Sequence, residues 1–465
     1  MGCLFLPSVK WFFGWSILFI TGIFWLTRSW EKTIVYGYWP LSVYYVGQLY
    51  VFQVIRPEEL YLPLYPEGRS LYFKLTPLLI LGIAMIVTWV IKMLMGRVKT
   101  DWLILILLIS VLTRLVSGFE MKILPWWVEI GMMTNNLALV VWWWWTSNYL
   151  KSAKKKDREY FWKYLGEIIK VSIIIGSLLV LIQTINGSVL GLVVEQMTTL
   201  AYLGADSVGS WLIRVVGIWN HPNEAAYYIL FWSIAWLLIR IKLGDNLKEI
   251  LKKWLLLPLL ALICLQSRTV YLAMVPIIFW GVYFYRDKIN IKKLKEMRIK
   301  GGKLWLIMGI LFLAVMVMGD RFLNLLTNFG ENSGWDTREK LVVVATNLTK
   351  KHLWWGVGDG NFIPVAFRED LTGIMKTFPE AVHNGGLLIL TEEGLVGVVV
   401  WIFFMMVFIK YWWSYTKKNL KLRWLLLGSL WSQFIVMTFQ PFSNILMANF
   451  IVGVLLLANE AKLSK

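Results

Sequence analysis

Arg214, Arg268, Arg338 and His383 stand out chemically from the apolar background of this sequence. Guanidinium groups make charge-assisted, often bidentate hydrogen bonds to phosphate oxygens. An imidazole with an unperturbed pKa of about 6.5 takes up or releases a proton near neutrality. Such a set implies an anionic, phosphate-bearing substrate and a proton transfer.

The neighbours of each residue define what it could do. Arg214 opens RVVGIWNHPNEAAYY (214–228), in which Asn223 reads as a helix N-cap and Pro222 keeps the helix from starting earlier. The helix end would offer free backbone N–H groups that, with Arg214, suit a phosphate or diphosphate. A capped helix with an interfacial arginine accounts for the same residues. Gln266-Ser267-Arg268-Thr269 interrupts an apolar stretch from Trp254 to Tyr285 that is too long for one membrane crossing and short for two. It reads as a hairpin of short helices with Arg268 near the outer tip. An arginine at membrane depth costs about 2.5–3.5 kcal/mol, so it needs an anionic ligand or, failing that, helix-end carbonyls or a route to the interface.

Arg338 opens an amphipathic helix from Thr337 to Leu353, with Leu341, Val342, Ala345, Leu348 and Leu353 at helical spacing. The glycine loop GVGDGNF (356–362), with Gly356 and Gly358, follows no strand, so neither a dinucleotide fold nor a P-loop is indicated. His383 sits where a polar segment re-enters an apolar run, with Asn384 as a possible cap and Glu393 about two and a half turns further on. It reads as a proton carrier or as a loop histidine bonded to backbone. His221, His352 and His383 are widely separated, no acidic pair has ligand spacing, and the two cysteines are Cys3 and Cys264. Neither a metal nor another cofactor is expected, nor a disulfide framework.

The elements that must position these residues are apolar helices. Of the 465 residues 58% are hydrophobic and 16% charged, with a mean hydropathy of +0.62, against about 25% charged in an average soluble domain. Crossings are read at about 11–27, 75–95, 102–117, 124–146, 164–185, 223–241, 254–267, 269–285, 304–319, 385–409, 424–440 and 443–458. The stretch 34–55 either crosses or lies in the interface. The reading is one all-α polytopic membrane domain, 1–465, with about 12 transmembrane helices and no cleaved leader. Trp142 to Trp145 are expected to anchor the chain as an interfacial aromatic belt.

The formal charge of +19 could suggest nucleic acid, but the charges sit in short loops, notably Lys151–Lys163 and Arg286–Lys303. By the positive-inside rule these loops are cytoplasmic and the bilayer is the partner. Two segments then fall outside: 186–222, and the long, charge-balanced and ordered loop 320–384.

Arg214 with Gly217, Asn220, Pro222 and Asn223, then Ser267-Arg268, Arg338, Gly356-Val357-Gly358, His383-Asn384 and Glu393-Gly394 follow one another in an order that resembles the O-antigen ligase/polymerase superfamily of bacterial membrane glycosyltransferases. The resemblance covers about residues 200–400; His221 between Asn220 and Pro222 departs from its usual pattern. It implies a GT-C-like fold in the cytoplasmic (inner) membrane. It also implies an extracytoplasmic active site that moves glycan from undecaprenyl diphosphate to a sugar acceptor without metal or nucleotide sugar. Arg214 and Arg268 would neutralise the diphosphate, with Arg338 and Asn223 assisting. His383 would activate the acceptor hydroxyl, while Asn384, Glu393, Gly356 and Gly358 support the site. Other polysaccharide-assembly proteins are possible partners. The alternative is a flippase for lipid-linked oligosaccharide or another polysaccharide transporter, although no internal repeat of the transporter kind is present.

Overall fold

The computed structural model describes residues 9–43, 77–96, parts of 105–117, 126–188, 190, 215–217, 219, 222–245, 256–265, 267–285, 335–377, 380–416 and 420–439. All regular structure among them is helical: α1 (Val9–Thr27), α2 (Trp30–Val43), α3 (Pro77–Leu94), α4 (Trp126–Ser152), α5 (Lys155–Asn186), α6 (Pro222–Lys242), α7 (Leu256–Cys264), α8 (Arg268–Tyr285), α9 (Trp335–Lys351), α10 (Phe362–Glu369), α11 (Ile374–Thr377), α12 (Gly385–Thr416) and α13 (Leu420–Phe439). Among the described residues three helices are long and apolar enough to cross a membrane, within Lys155–Asn186, Pro222–Lys242 and Gly385–Lys410, and Gly14–Thr27 and Ile80–Leu94 are shorter apolar helices. The spans read at 304–319 and 443–458, and the basic loop Arg286–Lys303, lie outside the described residues.

The chain divides into two compact units. The first comprises Met1–Phe161, Gly334–Tyr415 and Met437–Lys465. In it α3 and α4 approach so closely that a Cβ on Gly82 would come within 2.5 Å of the Ala138 Cβ. Small residues permit such contact between membrane helices, where dispersion rather than water exclusion drives packing. The belt expected at Trp142–Trp145 is corrected here: none of the four is more than 4% exposed. Four consecutive residues sample every face of a helix, so neighbours surround α4 at this level. Trp142 stacks on Tyr38 at 5.1 Å, and Lys92 Nζ sits 4.2 Å over the Trp145 ring while pairing with Glu31.

The second unit comprises Trp162–Ser333 and Thr416–Val436. Its centre is α6, in which nearly every residue from Pro222 to Ile239 is buried, as a helix apolar on all faces must be. Gln183 on α5 takes both backbone groups of Gly217: it donates to the carbonyl at 2.9 Å and accepts from the N–H at 2.8 Å. α7 and α8 are two separate helices within the stretch Trp254–Tyr285, and the Tyr271 hydroxyl donates across their junction to the Ile263 carbonyl at 2.8 Å. Beside Pro276, the Ser432 hydroxyl of α13 donates to the Ala273 carbonyl.

Candidate functional site

The first unit holds a small helical assembly built from α9, α10, α11 and the first turns of α12. Its core is formed by Leu341, Val344, Ala345, Leu348, Val357, Phe362, Val365, Ile374, Met375, Val382 and Leu388. On α9 the buried face is Leu341, Val344, Ala345 and Leu348, an i, i+3, i+4, i+7 stripe. Val342 and Leu353, both expected on that face, are exposed. Val342 lies about 100° round the helix from Leu341, and Leu353 comes after the helix ends at Lys351. α9 is tied to α12 by the Thr349 and Thr391 hydroxyls at 3.0 Å, and to α10 by Lys351 and Glu369 at 2.7 Å. His352 Nε2 also lies 3.8 Å from Glu369.

The run read as one crossing, 385–409, is broken. Gly394 takes φ +67° and ψ −169° inside α12, a conformation essentially confined to glycine. The break leaves the Thr391 and Glu392 carbonyls and the Leu395 and Val396 N–H groups without their helical partners. The stretch 353–358, which runs into the glycine loop, supplies all four. Val357 N donates to Thr391 O at 2.9 Å and Gly358 N to Glu392 O at 2.8 Å; Leu395 N donates to Leu353 O at 2.8 Å and Val396 N to Trp354 O at 3.2 Å. The Ser117 hydroxyl also donates to Glu392 O, at 2.8 Å. This exchange requires backbone against backbone, hence Gly356 at φ +72°, where a Cβ would fall 2.4 Å from the Glu392 carbonyl.

Glu392 completes the joint. Its buried carboxylate accepts from Gly360 N at 3.1 Å and Phe362 N at 3.3 Å, and so caps the entry to α10. Glu393, the acid singled out from the sequence, is also buried; Glu392 was not among the expected site residues. The available signal was a pair of acids directly before a glycine in an otherwise apolar run.

His383 stands two residues before α12. Asn384 caps that helix, its side-chain oxygen accepting from Leu387 N at 3.0 Å. The imidazole is 14% exposed, with Nε2 at 3.4 Å from Glu380 Oε2, and neither ring nitrogen has a hydrogen-bond partner among the described residues. Burial, helped by the positive charge of Arg338, pushes the imidazole down to about 4. It is therefore neutral at physiological pH. Arg338 projects from the first turn of α9 and is exposed. Glu380, missed from the sequence, lies one helical turn's worth of chain before His383.

The structure thus brings Arg338, Gly356, Gly358, His383, Asn384 and Glu393 into one unit. Asn223 and Arg268 belong to the other. Asn223 is not the N-cap: α6 begins at Pro222, whose fixed φ and missing N–H suit a first helical position, and Asn223 is buried inside the first turn. Arg268 is the first residue of α8, directly after the fully buried Ser267, whose hydroxyl has no partner among the described residues. Arg214, and the side chain of Arg268, lie outside the described residues.

Fold and site together define a protein that is all-helical among the described residues, with helices long and apolar enough to cross a membrane and a polar, histidine-bearing helical assembly. Residues 254–402, about a third of the chain, match the family model for O-antigen ligase, which bears out the resemblance to the O-antigen ligase/polymerase superfamily, a family of membrane enzymes. The matched stretch contains Arg268, Arg338, the glycine loop, His383, Asn384 and Glu393, and leaves Arg214 and Asn223 outside it. No curated protein matches the chain.

Proposed function

We propose that this protein is a metal-independent glycosyltransferase that transfers or polymerises undecaprenyl-diphosphate-linked oligosaccharide onto a sugar hydroxyl, at the extracytoplasmic face of the inner membrane. The observation that carries the reading is the His383 imidazole, held neutral, with neither ring nitrogen hydrogen-bonded among the described residues and the exposed Arg338 guanidinium within electrostatic reach. A neutral imidazole can take the acceptor's hydroxyl proton as that oxygen bonds to the anomeric carbon. The bond from that carbon to the diphosphate oxygen breaks, and the lipid diphosphate departs as an anion. Arg338, with Arg214 and Arg268, stabilises the developing charge through charge-assisted hydrogen bonds. An anionic substrate also offsets the Arg338 charge, which raises the proton affinity of His383 when the substrate is in place.

The test is reconstitution of the purified protein in vesicles with lipid-linked oligosaccharide, with and without EDTA and with no energy source. Longer or transferred glycan should form in both conditions, and His383→Ala and Arg268→Ala should each reduce it at least about 100-fold. Full activity in both variants would overturn the site assignment. Movement of unaltered substrate between leaflets would favour a transporter, and dependence on a divalent ion would end the metal-independent reading.

A further inference from the structure

The break at Gly394 divides α12 into two segments of different character. The first, Gly385–Glu393, packs into the polar assembly and ends in two buried carboxylates. The second starts at Leu395 and has no charged residue before Lys410. Leu395 to Thr416 runs about 33 Å at 1.5 Å per residue, enough to cross a hydrocarbon core of about 30 Å without the first segment. A crossing that included Glu392 and Glu393 would instead put two carboxylates at membrane depth, each costing about 2.5–3.5 kcal/mol.

The exposed side chains follow the same division. Val399, Ile402, Phe403, Met406 and Ile409 form an exposed apolar stripe along the second segment, and only 28% of the most apolar window of α12 is buried. At the head of the stripe stand Trp354, 65% exposed, and Trp355, 37% exposed. The backbone of Trp354 is held by Val396 N, so its height is the height of the break. Trp413, 52% exposed, lies at the other end of the stripe. Val396 and Trp413 are separated by about 26 Å along the axis, which matches the spacing of indole rings at the two faces of a bilayer.

We propose that the phospholipid headgroup layer is the partner of the Trp354–Trp355 corner, and that one boundary of the bilayer's hydrocarbon falls at the Gly394 break. The loop that mends the helix is then also the surface that seats the assembly of α9 to α11 on the membrane. From Gly385 to Gly394 is at most about 14 Å along the axis, so the start of α12 that His383 precedes lies within that distance of the boundary, a range that includes the level that the sugars of a membrane-bound lipid diphosphate would occupy. The placement rests on the membrane reading of α12, and that last consequence rests on the proposed activity.

The experiment uses the full chain with Cys3→Ser and Cys264→Ala, reconstituted in phosphatidylcholine–phosphatidylglycerol vesicles. Single fluorophores are attached through Trp354→Cys, Trp355→Cys, Ile402→Cys and Thr372→Cys. Headgroup spin-labelled lipid should quench positions 354 and 355 at least about twofold more than position 372, and aqueous iodide about threefold less; position 402 should respond to acyl-chain label alone. If 402 responds to acyl-chain label but 354 and 355 behave like 372, the boundary is wrong while the crossing stands. If 402 is not quenched by lipid, the crossing fails and the proposal with it. Shielding of 354 and 355 from both quenchers that grows with protein-to-lipid ratio would mean that a second copy covers the corner, and would overturn the proposal.

Discussion

Replacing Gly394 with alanine is expected to part the glycine loop from α12 without unfolding the neighbouring helices. The backbone there has φ +67° and ψ −169°, a region that costs an L-residue about 1–3 kcal/mol. The added Cβ would also lie 2.2 Å from the Trp354 carbonyl oxygen and 2.6 Å from Gly356 N, where ordinary contact begins at 3.4 Å. Both obstacles are backbone, so relief requires a shift of about 1 Å. Such a shift takes the bonds from Leu395 N to Leu353 O and from Val396 N to Trp354 O out of range, at about 1 kcal/mol each. The total is about 3–5 kcal/mol, or about 100- to 4,000-fold in an opening equilibrium. Hydrogen–deuterium exchange read by mass spectrometry on peptides covering 353–362 and 391–397 measures this directly, and avoids the irreversible unfolding that spoils thermal midpoints. Gly386→Ala is the control, since that helical position meets nothing closer than 3.4 Å. Exchange in Gly394→Ala that stays as slow as in the parent and the control would refute the reasoning.

Other expectations follow from the same geometry. Glu392→Ala should free the Gly360 and Phe362 amides and speed their exchange by about 10- to 100-fold, whereas Glu392→Gln, which keeps an acceptor, should cost about 1 kcal/mol or less. Arg338→Gln should raise the His383 pKa, because it removes a positive charge that opposes the imidazolium; the acid limb of kcat/KM should move to higher pH and that of kcat much less. The folded-state value of about 4 lies below the ordinary histidine value of about 6.5, so between these the unfolded chain binds the extra proton. Stability of 335–390 should therefore be full above about pH 6.5, fall as pH drops toward 4, and level off below; that pH-dependent loss should vanish in His383→Gln when exchange rates are compared. Asn384→Ala should cost about 1 kcal/mol and fray the first turn of α12 in the same exchange maps.

Apolar length made most of the described helices legible in the sequence, because a hydrophobic run of 18 or so residues admits few other structures in lipid. The interruption before Arg268 was legible for the same reason: its run was the wrong length for one crossing. Legibility failed where tertiary contact decides. The Gly394 break leaves the hydropathy of its run unchanged, and only its partner loop, some forty residues earlier, makes the strained backbone tolerable. Interfacial enrichment is a good rule for tryptophan in general, yet the four consecutive indoles of α4 are drawn inward by neighbours that no local pattern reveals. At the site, His383, Arg338 and Asn384 were recognisable from residue type and position. Glu380 was not, since a carboxylate that faces an imidazole looks, in sequence, like any other acid, and for Glu392 the pair of acids before Gly394 marked the place but not which of the two would accept backbone N–H groups.

The mended break also fixes the length of chain that can join its two sides. Leu353 and Trp354 are held to one side of Gly394 and Val357 and Gly358 to the other, so the intervening Trp355 and Gly356 form a spacer whose size must match the gap in the helix. One residue more or fewer would put every donor opposite the wrong carbonyl. The turn at Leu371, Thr372 and Gly373 is exposed and is organised by the Asp370 carboxylate. Variation in chain length between α9 and α12 should accumulate there, which makes that turn the natural place to insert a tag or a reporter without disturbing His383.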